Sequence, residues 1–135
     1  EAVLDSIWVN YTIKNVNSEF IKSLLKQGLT PVISPIAISE ESEFLNVDGD
    51  RAAAYVAGSV GSDKVLFITN VDGLLMDDEV VPKLTLVQAK EIRPKIGPGM
   101  EKKILASTEA PVNNITVIKL TNVFVTNLDF MFIFP

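Results

Sequence analysis

The run Lys64-Val65-Leu66-Phe67-Ile68-Thr69-Asn70-Val71-Asp72-Gly73 decides the fold. Four consecutive apolar residues, Val65 to Ile68, show none of the polar alternation of a strand with one wet face. An uninterrupted strand of this kind is buried on both sides, as in a parallel sheet covered by helices. Asn70-Val71-Asp72-Gly73 then reads as the loop at the strand's C-terminal end, where open α/β sheets bind their ligands. Its Asp-Gly pair suits a turn that needs positive φ.

The flanking sequence alternates helix and strand patterns. Upstream, Arg51 to Val60 reads as a helix with Ala53, Val56, Ala57 and Val60 inward and Gly61 at its end. Val16 to Gln27 reads as another, with Phe20, Ile21, Leu24 and Leu25 on one stripe and Gly28 as its stop. Between them, Thr30 to Ile36 is predicted as a short buried strand bounded by prolines, and Glu40 to Glu43 as a polar turn. Downstream, Leu74 to Val81 is predicted as a small hairpin around Asp77-Asp78-Glu79. Thr85 to Ile92 follows as a helix with Leu86, Ala89 and Ile92 inward. Gly97-Pro98-Gly99 breaks the chain, and Met100 to Ser107 makes one more helix. Thr116 to Ile118 and Val123 to Val125 are β-like. This order predicts the α/β class with a mostly parallel sheet.

Composition bounds the function. The chain has 135 residues, 47% of them apolar, enough for one domain with a real core. A net charge of −5 argues against nucleic acid, which requires clustered Lys and Arg. The absence of cysteine removes disulfides and thiolate zinc sites and fits a reducing, cytoplasmic compartment. The absence of histidine removes Ser-His-Asp hydrolysis, His-ligated metals and imidazole acid–base catalysis together. Glu1-Ala2-Val3-Leu4-Asp5 has no basic, apolar leader pattern, and the lack of an initiator Met reads as a start partway into something larger. Lys119, Asn122, Asn127 and Asp129 interrupt the apolar tail, which therefore reads as strands and not as a membrane span. All seven glycines lie between Gly28 and Gly99, which concentrates the turn chemistry in the middle of the chain.

Two polar constellations carry the candidate chemistry. Asn46-Val47-Asp48-Gly49-Asp50 sets three short polar side chains at alternate positions ahead of the Ala-rich helix. Extended backbone sends such side chains to one face, with Asp50 placed to cap or charge the helix start. They read either as a polar row at a strand end or as an ordinary capped helix. A calcium loop is set aside, because the twelve-residue spacing with its closing Glu is missing. The second constellation is Gly97-Pro98-Gly99-Met100-Glu101-Lys102-Lys103. Two glycines would let backbone approach a polyphosphate, the helix start would offer free N–H groups, and Lys103 would place a cation on a transferring phosphoryl group. An ordinary helix start with solvated lysines fits equally. The spacing is not that of a Walker A loop.

The ordered series P-V-I-S-P-I (31–36), L-N-V-D-G-D-R-A-A (45–53), V-L-F-I-T-N-V-D-G-L-L (65–75) and G-P-G-M-x-x-K (97–103) resembles the amino acid kinase family. The likeness spans roughly residues 16 to 110. It is strongest to the acetylglutamate kinases and to their archaeal relatives acting on glutamate or 2-aminoadipate held on an amino-group carrier protein. The resemblance implies a three-layer αβα fold and an ATP-dependent phosphorylation of a carboxylate in lysine or arginine synthesis. The cofactors implied are ATP and Mg2+ carried by the nucleotide, with no metal site of the protein's own. It implies that Asp50 and Lys103 are catalytic, Asp50 orienting the lysines and Lys103 stabilising the transferring group. Asn46 and Asp48 would lie at the acceptor, and Thr69, Asn70, Gly73, Gly97, Gly99 and Met100 along the nucleotide. Implied partners are a carboxylate substrate, a carrier protein and, as one option, a second copy of the chain.

Two departures qualify these expectations. The family's amino-terminal half carries a first catalytic lysine before a Gly-Gly turn, and this chain has no Gly-Gly pair. Residues 111–135 are glycine-free and Phe-rich, unlike the family's last strand. The expectation is therefore a carboxy-terminal nucleotide-binding lobe over residues 1–110, with residues 111–135 as an apolar β-like tail of the same domain. The alternative is a truncated, inactive nucleotide-binding or interaction module.

Overall fold

The computed structural model describes residues 12–69, 72–76 and 79–109, and the backbone of 115–119 and 132–133. Its centre is β3, Val65–Thr69, which lies between β6, Ile115–Lys119, and β7, Phe132–Ile133, in a sheet whose strands are all parallel. Val65, Leu66, Phe67 and Ile68 are all buried. Successive side chains of a strand point to opposite faces, so both faces of β3 are covered. The α/β class and parallel sheet read from the sequence are the observed ones. Val123 to Val125 lies outside the described residues.

Three helices form the main core with β3. They are α1, Ser18–Lys26, α2, Gly49–Val60, and α4, Pro98–Glu109. Ile21, Ala53, Ala54, Val56, Ala57 and Ala106 pack with Val65 and Phe67. The helix α2 starts two residues earlier than predicted, because Asp48 and not Asp50 is its cap: the Asp48 carboxylate accepts the Arg51 N–H at 3.0 Å. Its far end is as predicted, Gly61 closing the helix at φ 78° while the Ser62 N–H donates to the Ala57 carbonyl. In α1, capped by Asn17, Ile21 is buried but Phe20 is 59% exposed, so the predicted stripe is narrower than drawn.

The predicted buried strand at Thr30 to Ile36 is not formed: Val32 is 97% exposed and only Ile36 of that segment belongs to a strand. Strand β1 runs Ile36–Ile38 and pairs antiparallel with β2, Phe44–Asn46, a hairpin the sequence reading missed. Pro31 and Pro35 cannot donate to a ladder, so pairing begins only after Pro35, whose carbonyl accepts the Val47 N–H. The polar turn is confirmed: the Ser39 hydroxyl accepts the N–H groups of Glu41 and Glu43.

A second cluster joins Leu74, Ala89 and Ile104, with Met100 and Ile96 against it. It ties the predicted hairpin, here β4, Leu75–Met76, and β5, Glu79–Val80, to α4 and to α3, Leu86–Ile92. A capping box starts α3: the Thr85 hydroxyl accepts the Gln88 N–H while the Gln88 side chain accepts the Thr85 N–H. Leu86, predicted to face inward, is 54% exposed; Ala89 carries that face. Helix α4 begins at Pro98, inside the predicted break, since proline suits a first helical turn that needs no N–H donor there. Among the described residues no helix is long and apolar enough to cross a membrane.

Candidate active site

The start of α2 and the middle of α4 meet at an ion pair. The Lys103 ammonium donates to both carboxylate oxygens of Asp50, at 3.0 and 2.9 Å, with side-chain exposures of only 13% and 10%. Asp50 reaches this position because Asp48 caps the helix and places Asp50 in its first turn, on the side turned toward α4. The predicted row of three side chains on one extended face is therefore broken at Asp50. Asp50 lies within the helix and is the buried member.

Lys103 is held from a third direction by β3. Its nitrogen lies 5.9 Å from the centroid of the Phe67 ring, within the range of a cation–π contact. One α4 residue earlier, the Lys102 ammonium approaches the Asp48 carboxylate at 3.7 Å. Burial pushes the Asp50 carboxyl above its ordinary value. The hydrogen bonds and charge of Lys103 oppose that rise, Asp48 adds to it, and Lys102 opposes it weakly.

The other predicted residues fall into two groups. Thr69 ends β3, opposite Lys119 of β6, and Gly73 is buried just after the loop at φ 142°. A Cβ at Gly73 would meet a Val80 methyl at 3.3 Å, so both its conformation and its surroundings call for glycine. Asn70 lies outside the described residues. Gly97 precedes α4, with open space where a Cβ would stand, and Gly99 falls in the first helical turn. Met100 packs in the second cluster beside Leu74, so the start of α4 and the segment after β3 share a wall. Asn46 is exposed at the end of β2, opposite Ile36.

Sequence reasoning missed three contributors. Phe67 looked like core alone, Arg51 like an ordinary helix residue, and Glu109 carried no signal. The Arg51 guanidinium donates to Glu109 through Nε at 2.6 Å and Nη2 at 3.1 Å. Only the adjacency of Arg51 to Asp50 could have drawn attention to it.

What this arrangement can do is hold a cation and its orienting carboxylate beside a parallel strand, on a helix whose start carries two glycines. That is a set suited to binding and polarising an anion. The model of the amino acid kinase family matches residues 3–121. The chain belongs to that family.

Among the relatives of this family member, a Nitrosopumilus maritimus protein provisionally named LysW-aminoadipate/LysW-glutamate kinase is 83% identical over 110 residues. The match covers 82% of this chain and 41% of that protein. A Sulfolobus acidocaldarius LysW-aminoadipate/LysW-glutamate kinase is 40% identical over 111 residues, covering 82% of this chain and 42% of the relative. The chain thus spans about two fifths of the curated relatives it matches. In solved structures the fold recurs in N-acetylglutamate synthase from Neisseria gonorrhoeae complexed with coenzyme A and N-acetyl-glutamate, with a TM-score of 0.70 at 21% identity, over 79% of this chain and 26% of that one. A Streptococcus mutans protein aligns with a TM-score of 0.70 at 30% identity, over 76% and 44% of the two chains.

Proposed function

We propose that the chain is the nucleotide-binding, carboxy-terminal part of an ATP-dependent kinase that converts a carboxylate into an acyl phosphate. The observation that carries this reading is the buried Asp50–Lys103 pair, whose ammonium is fixed by two carboxylate oxygens and an aromatic face. A lysine restrained in this way forfeits little freedom when it meets the charge that develops on a transferring phosphoryl group. Removing one such donor typically lowers a rate by about 10²–10³-fold.

The residues present fit a polyphosphate. The N–H groups at the start of α4 are free of helical partners, Gly97 leaves room for a close approach, and Lys103 lies within the same helix. Thr69, Asn70, Gly73, Gly99 and Met100 would line the nucleotide at the end of β3. When bound, ATP supplies the phosphoryl group, and its Mg2+ neutralises phosphate charge. This chain's own residues would position the phosphates and hold the cation, with Asp50 as positioning carboxylate and Asn46 and Asp48 toward the acceptor. The relatives' names support carrier-linked 2-aminoadipate or glutamate as acceptor, in lysine or arginine synthesis.

These relatives are more than twice as long as the matched segment, so we assign the remainder of the acceptor site and a second phosphate-facing cation to sequence beyond it. Residues 1–110 form the lobe and 111–135 its tail. Alone, the chain binds nucleotide and turns over little. The test is calorimetric titration with ATP–Mg2+, paired with hydroxylamine trapping of acyl phosphate in the presence of glutamate-type acceptors. Saturable binding with near-background hydroxamate is expected. Absent binding overturns the nucleotide reading, and kinase-level turnover overturns the division of labour.

A further inference from the structure

We infer that the Arg51–Glu109 pair is a positioning clamp that sets how α4 lies on α2, and thereby where the Lys103 ammonium is held. Both members stand where a helix does not want them. Arg51 is a cation in the first turn of α2, at the positive end of that helix's dipole. Glu109 is an anion and the last residue of α4, at the negative end of its own. Neither placement favours its helix, so the pair's contribution lies in joining the two.

The contact it joins needs such a device. Ala53, Ala54, Ala57 and Ala106, all fully buried, make up much of the α2–α4 seam. Alanines let two backbones approach closely but present no long side chains to stop one helix sliding or rolling on the other. Lys103 and Glu109 flank Ala106 on α4, six residues and roughly 9 Å apart along the axis. On α2 their partners, Asp50 and Arg51, are neighbours. Two ion pairs therefore diverge from one point on α2 to two points on α4, straddling the alanine seam.

The two pairs are unequal in kind. Arg51 meets Glu109 through two parallel N–H···O bonds, a planar fork that restrains angle as well as distance. Lys103 is a compact charge on a four-carbon stem with no planar fork of its own, so its restraint depends on where α4 sets it against Asp50 and Phe67. The rigid pair thus fixes the helices, and the second pair takes its place from them. At 14% and 26% exposure, the fork is shielded from competing water.

The inference rests on Lys103 being the functional cation, but its test needs no nucleotide. In the full chain, trace acetylation followed by mass spectrometry reads the reactivity of Lys103 relative to exposed Lys26, while amide hydrogen exchange at Phe67 reads the integrity of β3. Glu109→Gln is expected to raise the Lys103/Lys26 ratio about fivefold, within the coupling found between sites that share a backbone shift. Arg51→Lys, which keeps the charge and loses the fork, is expected to fall between that variant and wild type. Phe67 exchange should stay unchanged in both. An unchanged ratio in Glu109→Gln overturns the inference, as does a ratio that rises only in step with Phe67 exchange, since a purely stabilising pair would move both together.

Discussion

A single ammonium, that of Lys103, satisfies both carboxylate oxygens of Asp50 across a separation of 53 residues. The link joins the first turn of α2 to the middle of α4 over the ring of Phe67 on β3. Two helices and the middle of a parallel strand therefore meet at one cation.

Breaking this pair has a stability consequence separate from function. Lys103→Met leaves the Asp50 carboxylate buried without its partner and is expected to destabilise the chain by about 3 kcal/mol near neutral pH. Urea denaturation measures this. Because the two residues touch, the Asp50→Asn/Lys103→Met double variant should be clearly less destabilised than the sum of the single ones.

The pH dependence has a definite sign. Burial raises the folded Asp50 carboxyl above its ordinary value of 3.8, so the folded chain holds that proton more tightly than the unfolded chain. The associated stability is fully present below 3.8 and is lost as pH rises through the raised folded value. Wild type should therefore lose stability relative to Asp50→Asn as pH climbs above 3.8. A pH-independent difference between the two, measured by chemical denaturation, contradicts this.

The alanine seam between α2 and α4 makes a third expectation. Ala106 is fully buried, and Ala106→Leu must push the helices apart. Overpacking of this kind costs about 1–3 kcal/mol. Separation of the helices should also raise the reactivity of Lys103 to amine reagents, whereas Ala106→Gly should destabilise with far less effect on that lysine.

Gly73 supplies a fourth. Its φ of 142° is strained for any L side chain, and the Val80 methyl stands 3.3 Å from a Cβ built there. Gly73→Ala is expected to cost about 1–3 kcal/mol and to loosen the β4–β5 hairpin, seen as faster amide exchange at Val81, whose N–H donates to Leu74.

Much of the fold was legible because burial leaves a strong pattern. The apolar run at Val65 to Ile68 gave the central parallel strand, and the Ala/Val spacing before Gly61 gave α2. The β1–β2 hairpin was hidden by its short strands and by prolines that shift where pairing can begin. Phe20 and Leu86 misled because a helical stripe records which side chains share a face, not how far the neighbouring element reaches. At the candidate site, Asp50 and Lys103 stood out through motif order, and the structure brings them into contact. Glu109 could not be read at all, since its importance depends on a helix crossing that no local spacing encodes.

The central claim is that Lys103, held by Asp50, faces a nucleotide phosphate. Titrating ATP–Mg2+ into the wild-type chain and into Lys103→Ala, with folding of both confirmed by circular dichroism, tests it most directly. The account predicts saturable binding to wild type, weakened at least about tenfold in the variant, in line with loss of one charge-assisted contact. Equal binding by the two folded chains, or none by either, would contradict it.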